Sequence, residues 1–298
     1  MLARAMKPKK PKKSTLAAIG FLSSYQHPLS AAARLAGMTL LWVSGIRNDT
    51  IDRATRVVNN GAAGSFVLAA RPFPQLRGLQ PCQRTVPPRD TFEAFWRKDA
   101  TKEWMRAHNM GQFAIVDIPH DALNSSELPV VMKPTNGMSG MGVAIIKTGA
   151  YMEKIKALHK RGVMYERAIS NDTEWGVHFA AHNGSLLFLK CMKIVFRAPL
   201  FVRAKRLTTK MKSLKWLTCP NELADMTSDI VRASSYGGIG CTGVKYESGD
   251  PKLIEVNPRV CGMALNTPNT QKQLLDAVSA HVARCLHGSR QNAARVRR

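Results

Sequence analysis

The 298-residue chain predicts an α+β protein: a small parallel α/β unit near the N-terminus, then a larger body of mixed antiparallel sheets with helices on one face. Three observations predict this. Residues 14–70 alternate strand, helix, strand, helix, strand with short connections. Residues 71–90, "RPFPQLRGLQPCQRTVPPRD", carry five prolines and little periodicity, which reads as a linker. From residue 129 onward, alternating apolar runs are joined by hairpin turn signals.

In chain order, "STLAAIGF" (14–21) is an apolar strand, and "PLSAAARLAG" (28–37) a helix with proline near its start and glycine at its end. "MTLLWVSG" (38–45) is a second strand, and "NDTIDRATRVVNNG" (48–61) a helix capped by Asn48 or Asp49 and stopped at Asn-Gly. "SFVLAA" (65–70) is a third strand. The first turn lacks G-x-G-x-x-G, so no dinucleotide site is expected there. "TFEAFWRKDATKEWMRAHNMG" (91–111) is an aromatic-rich helical stretch. "LPVVMKPT" and "GVAIIKT" are strands around a glycine-rich loop, "AYMEKIKALHKRG" (150–162) is a helix, and "VMYERAI" begins another strand. "TEWGVHFAAHNGSLLFLKCMKIVF" turns at Asn183-Gly184, a strong hairpin signal. "CPNELADMTSDIVRASSYGG" (219–238) is a helix with Asn221 as cap, "GCTGVKYESGDPKLIEVNP" a second hairpin around Ser248-Gly249-Asp250, and 270–286 a last helix. No internal repeat is visible.

The formal net charge is +24, but it is unevenly placed. Residues 1–13, 197–215 and 284–298 hold 18 Lys and Arg and no acid; the rest has 26 basic against 20 acidic residues. The two ends read as solvated tails at 1–13 and 287–298, from which any nucleic-acid contact would have to come. The internal stretch reads as a loop whose Arg203, Lys205 and Arg206 could steer an anionic ligand. No apolar run reaches membrane-spanning length, and the N-terminus has no apolar signal core, so a soluble, cytoplasmic protein is expected; the basic N-terminus leaves organelle targeting open. The six scattered cysteines, with no C-x-x-C, are expected to be reduced thiols. His178 and His182 would share one strand face as half-buried histidines, not as a metal pair.

Two stretches carry chemistry. "KPTNGMSGMG" (133–142) puts a lysine before a turn whose glycine N–H groups can approach phosphate oxygens with no Cβ in the way. "LIEVNPR" (253–259) places Glu255 and Asn257 on one strand face, hard oxygen donors of the kind a phosphate-bound Mg²⁺ takes. Arg259 just beyond could present a fork to a carboxylate or phosphoryl group.

Together and in order, "DATKEWMRAHNMG", "VVMKPTNGMSGMGV", "YERAISNDTEW" and "LIEVNPRVCG" resemble the ATP-grasp family of carboxylate–amine ligases over roughly residues 99–262. The resemblance implies an ATP-grasp fold, two α+β lobes sandwiching ATP, at 91–286, preceded by the family's N-terminal domain with its linker at 14–90. It implies that Lys102 and Lys133 contact ATP phosphates under a loop containing Gly137, Ser139, Gly140 and Gly142. Tyr165, Glu166, Arg167 and Ala168 would form the hinge that meets adenine, and Glu174 the ribose-binding acid. Glu255 and Asn257 would hold Mg²⁺, and Arg259 would stabilise anionic charge at the substrate side, making Arg259 and Lys133 the catalytic pair. The implied reaction phosphorylates a small-molecule carboxylate with ATP; an amine then attacks the acyl phosphate. The sequence departs from the family at Cys241 and Thr242, where another metal-binding side chain is usual, which keeps a non-catalytic ATP-binding relative as an alternative. A nucleic-acid-binding protein acting through its basic tails is the alternative from another class. Neither substrate nor oligomeric state is readable from the sequence.

Overall fold

Five residues, Thr15–Ile19, form β1 at the centre of a parallel sheet, with all but the first buried. In this computed structural model residues 14–19, 26–43, 48–60, 64–69, 74–136, 140–158, 162–200, 211–261 and 267–296 are described. They divide into two units: residues up to Thr85 together with those from 267 onward, and Val86–Cys261.

In the first unit β1 lies between β2 (Thr39–Val43) and β3 (Phe66–Ala69), both parallel to it. The crossovers are α1 (Gln26–Leu35) and α2 (Asn48–Asn59), as the alternating pattern predicts. Burial on both faces explains why these strands are continuously apolar rather than alternating. The long C-terminal helix, Pro268–Val296, packs on α1 in this unit. The sequence reading places this helix up to residue 286 in the second domain and 287–298 in a solvated tail; the helix instead continues through residue 296.

The second unit opens with two helices where one stretch was expected. These are α3 (Arg89–Trp96) and α4 (Lys98–Ala107), separated at Arg97, whose extended backbone (φ −105°, ψ 131°) breaks the helix. An antiparallel three-stranded sheet follows, β5 (Ala144–Ile146), β4 (Val130–Pro134) and β6 (Val163–Arg167) side by side, with α5 (Gly149–Leu158) between β5 and β6 in sequence. Then comes an antiparallel five-stranded sheet in the order β11–β10–β7–β8–β9. Its members are β7 (Thr173–His182), β8 (Ser185–Phe196), β9 (Met211–Leu217), β10 (Gly238–Glu247) and β11 (Asp250–Asn257). Asn183 (φ 51°) and Gly184 (φ 78°) make the expected tight turn between β7 and β8.

Strand β9 corrects the reading of 197–215 as a loop. Its residues alternate partly buried with exposed, and they pair with Cys191–Phe196 of β8; the lysine-rich sequence hid a charged edge strand. Arg203, Lys205 and Arg206 lie outside the described residues. The helix α6 (Asn221–Ala233) has Pro220, not Asn221, at its cap position, with no side-chain cap bond. One face of the five-stranded sheet packs Val177, Phe179 and Cys191 against Leu223, Met226 and Ile230 of α6 and Phe95 of α3. Chain alternation turns Glu174, Gly176 and His178 to the other face.

The cysteine expectation is overturned. All six are joined: Cys82–Cys285, Cys191–Cys219 and Cys241–Cys261. Sequence separations of 203, 28 and 20 residues gave no local motif; the fold brings the partners together. The inference of a reducing compartment loses its basis. Among the described residues no helix is long and apolar enough to cross a membrane.

Candidate active site

A cleft of about 130 Å³ opens between the three-stranded sheet and the non-helical face of the five-stranded sheet. Its polar lining comes from Lys98, Lys133, Glu166, Glu174, Lys245 and Glu255; Val131, Ile145, Ile169 and Ile254 give it apolar walls. A second, much smaller crevice is lined by Asn136, Asn257 and Arg259. Lys98 and Glu255 line both, so they stand where the two spaces meet.

Lys133, on β4, points into the unit and is 3% exposed. Its Nζ lies 2.6 Å from Glu166 and donates to the Ile254 carbonyl at 3.1 Å, tying the two sheets together. Burial pulls this ammonium below the usual lysine range; Glu166 opposes that shift and Lys102 adds to it. Glu166, 2% exposed, also takes Lys102 at 2.5 Å. One carboxylate thus sits between two buried lysines.

Lys102 does not line the cleft. It is 4% exposed and further committed to the Ile115 carbonyl at 2.8 Å and to Asp117, behind Glu166. The lysine that does face the cleft from α4 is Lys98, one helical turn earlier and 3.7 Å from Glu255. Sequence reading missed it because both lysines sit on one helix face and only packing tells which is nearer the opening. The Lys98 N–H donates to the Thr135 carbonyl at 2.8 Å, anchoring the start of α4 to the turn after β4.

That turn leads into the glycine-rich loop. Gly137 and Ser139 lie outside the described residues. Gly140 lines the cleft. Gly142 has φ 74°, and a Cβ there would stand 2.7 Å from Pro134 Cγ, so only glycine fits this close return.

The hinge residues divide. Tyr165 turns its ring into the small sheet's core beside Ile118 and Val130, where burial raises its pKa. Arg167 pairs with Glu247 at 2.8 Å, and both Arg167 and Ala168 line the cleft. Glu174, 6% exposed, faces the cleft from β7.

On β11, Asn257 Nδ2 donates to Glu255 Oε1 at 3.0 Å, which spends the amide nitrogen and leaves its oxygen for another partner. Strand register settles what stands opposite. Gly243 of β10 pairs with Glu255, and Cys241 with Asn257. Thr242 pairs with Val256 and Val177 on the helix-packed side. The position facing Glu255 is therefore Gly243, not Cys241 or Thr242 at the spacing the family resemblance implied; the ladder shifts by one residue between Gly243 and Val244. A Cβ at Gly243 would meet Glu255 Cγ and Ile254 Cβ at 3.6 Å and Glu174 Oε1 at 4.0 Å, ordinary contacts, so a Cβ fits beside Glu255 without a clash. Arg259 donates to the Val260 carbonyl at 3.3 Å at the edge of the crevice. His178 is buried, its ring 5.0 Å from that of Trp216, and among the described residues no group of three His, Cys, Asp or Glu could hold a metal.

No protein-family model matches the chain, and no curated protein does. Solved structures do. The chain is similar to D-alanine–D-alanine ligase from Bacillus anthracis over 91% of its own length and 99% of that chain, with a TM-score of 0.54 at 16% identity. Phosphoribosylamine–glycine ligase from Thermotoga maritima matches over 86% and 70%, with a TM-score of 0.59 at 14% identity. L-amino acid ligase from Bacillus licheniformis matches over 90% and 74%, with a TM-score of 0.57 at 15% identity.

Proposed function

The chain has the ATP-grasp fold, and on that premise we propose that residues 86–261 bind ATP and use it to join a carboxylate to an amine. One observation carries the reading: Lys98 and Glu255 stand at the junction of two spaces, with Lys133 in the wall of the larger and Arg259 beside the smaller. The larger space suits the nucleotide. Its apolar walls would flank the base, the 167–169 backbone would meet the base edge, and Glu174 would accept from ribose hydroxyls. Lys98, Lys133 and the N–H groups around Gly140 and Gly142 would meet the phosphates, bringing the γ-phosphate to the junction.

Glu255 and the oxygen of Asn257 fit Mg²⁺ as hard donors, and bound there the cation would supply neutralisation of phosphate charge. In the first step a substrate carboxylate oxygen attacks the γ-phosphorus, the bond to the bridging oxygen breaks, and ADP leaves. The amine then attacks the acyl carbon and inorganic phosphate departs. Arg259 would hold negative charge on the acyl phosphate, and positioning and charge complementarity would supply most of the rate.

Gly243 favours a second reading, a chain that binds ATP without turning it over, because the β10 residue paired with Glu255 has no side chain to offer a cation. ADP release with pooled amino acids and carboxylic acids decides between them, with Glu255→Ala as control. Stimulation above that variant supports the ligase; tight ATP binding without stimulation supports the non-catalytic relative.

A further inference from the structure

Three consecutive residues at the end of β10 hold the last residue of β6 and the connection from it to β7, residues 167–172. Glu247 takes the Arg167 guanidinium at 2.8 Å. The Tyr246 carbonyl accepts from the Asn171 side-chain amide. Lys245 Nζ donates to the carbonyls of Ile169 at 3.1 Å and Asn171 at 3.0 Å, with the Pro199 carbonyl at 3.5 Å. The segment has little regular pairing of its own: Ala168 N–H goes to the Pro129 carbonyl, and Asn171 N–H turns back to Ile169.

These ties differ in strength. The Arg167–Glu247 pair is largely solvated and contributes little. Lys245 lines the cleft, and burial lowers its pKa against the pull of Glu174 and Asp172. A half-buried cation on carbonyl dipoles makes stronger hydrogen bonds than neutral groups do. Two of the ammonium's N–H donors meet the backbone carbonyls of Ile169 and Asn171 at normal hydrogen-bond length. Holding the carbonyls of Ile169 and Asn171 fixes the peptide planes between them. It thereby fixes the Ile169 peptide group, next to Arg167 and Ala168, whose N–H groups the Val116 and Pro129 carbonyls hold; all three residues edge the cleft.

We infer that Lys245 is a positioning residue for nucleobase recognition: it presents the 167–169 backbone to the base of a bound nucleotide while making no bond to that base itself. This rests on the nucleotide reading above. The role follows from a lysine placed two residues beyond Gly243, on the cleft face of β10 and across from the hinge.

The test compares Lys245→Met, which keeps length and loses the donors, with Lys245→Arg, which keeps charge. Calorimetry on the full chain measures Kd for ADP, adenosine and inorganic tripolyphosphate, each with Mg²⁺. Losing two charge-assisted backbone bonds should weaken ADP and adenosine alike by about tenfold or more in the Met variant. Tripolyphosphate should stay within about twofold, Lys245→Arg should recover part of the loss, and amide hydrogen exchange at 168–172 should quicken in the Met variant alone. Equal weakening of ADP and tripolyphosphate would mean that Lys245 acts through its charge on the phosphates, and the inference falls. Unchanged ADP binding in Lys245→Met overturns it as well. A wild-type chain that binds no ADP overturns the nucleotide reading and this inference together. If the Met variant does not fold, Asn171→Ala, which removes the Tyr246 tie and the acceptor of the Thr173 N–H but leaves Lys245 in place, should show the same base-selective loss on a smaller scale, and its absence counts against the inference.

Discussion

Replacing Glu166 by glutamine should reveal how the buried charges at the cleft wall are balanced. The carboxylate lies 2.5 Å from Lys102 and 2.6 Å from Lys133, and all three side chains are nearly solvent-free. The amide takes away the charge and keeps the shape. Lys102 retains Asp117 and the Ile115 carbonyl, so the burden falls on Lys133, which keeps the Ile254 carbonyl. Removing one partner of a buried pair costs about 3–5 kcal/mol. There is also a ceiling, because Lys133 can shed its proton: at pH 7 that costs about 4.6 kcal/mol for a lysine of ordinary pKa near 10.4. The expected loss is thus about 3–4.6 kcal/mol at pH 7.

The sign of its pH dependence follows. In the variant, Lys133 has a folded pKa well below its unfolded one. Between those two values the unfolded state binds more protons, so stability rises with pH. At pH 9.5 the same proton costs only about 1.2 kcal/mol to remove, and the loss should shrink to roughly that. Urea denaturation read by tryptophan fluorescence suits the measurement, since Trp96, Trp104, Trp175 and Trp216 all lie in the second unit and only Trp42 lies in the first. A loss below about 1 kcal/mol at pH 7, or one that stays constant to pH 9.5, would refute the charge argument. The double variant Lys133→Met with Glu166→Gln should recover much of the stability, because no unpaired buried ammonium then remains at position 133.

Lys98→Met should weaken ADP binding at least about tenfold through the lost charge-assisted contact, with little change in stability, whereas Lys102→Met should lower stability more than affinity; calorimetry and denaturation on both variants check this. Gly243→Asp places a carboxylate beside Glu255 without steric conflict, so the gain in ADP affinity on adding Mg²⁺ should grow several-fold over wild type while metal-free binding weakens. Gly240→Ala would put a Cβ 2.5 Å from Phe179 Cζ and 2.9 Å from the Tyr236 hydroxyl, costing about 1–3 kcal/mol of stability by denaturation. Thiol titration of the denatured, unreduced chain should find no free cysteine, and six after reduction; six before reduction would overturn the pairing.

What could be read from the sequence was whatever local periodicity encodes. Burial on both faces makes β1 to β3 continuously apolar, and the Asn183-Gly184 turn needs left-handed backbone, so both left unambiguous marks. Glu255 and Asn257 were legible for the same reason, since alternation alone puts them on one face. The disulfides were not legible, because each joins segments that only tertiary structure brings together. Nor was β9, a strand whose lysines suit a solvent-facing edge and imitate a loop in composition.

The choice between Lys98 and Lys102, and between Gly243 and Cys241, shows where such reading stops. The resemblance named Lys102 alone; a four-residue spacing puts Lys98 on the same helix face, and depth along that face, which spacing does not show, separates the one that lines the cleft from the one behind it. The spacing that the family resemblance implied pointed to Cys241 and Thr242, and a spacing does not show which β10 residue pairs with Glu255; the ladder, with its shift at Gly243/Val244, makes it Gly243. The consequence reaches the chemistry. With Cys241 opposite the cation, the missing ligand would have been a soft sulfur already bonded to Cys261; with Gly243 opposite, no side chain fills the position. Water or a substrate oxygen can fill a space, so the residue that raised doubt about catalysis is compatible with it. What then decides between turnover and simple binding is whether Glu255 and Asn257 suffice as protein donors, which is the quantity that Gly243→Asp changes by a single carboxylate.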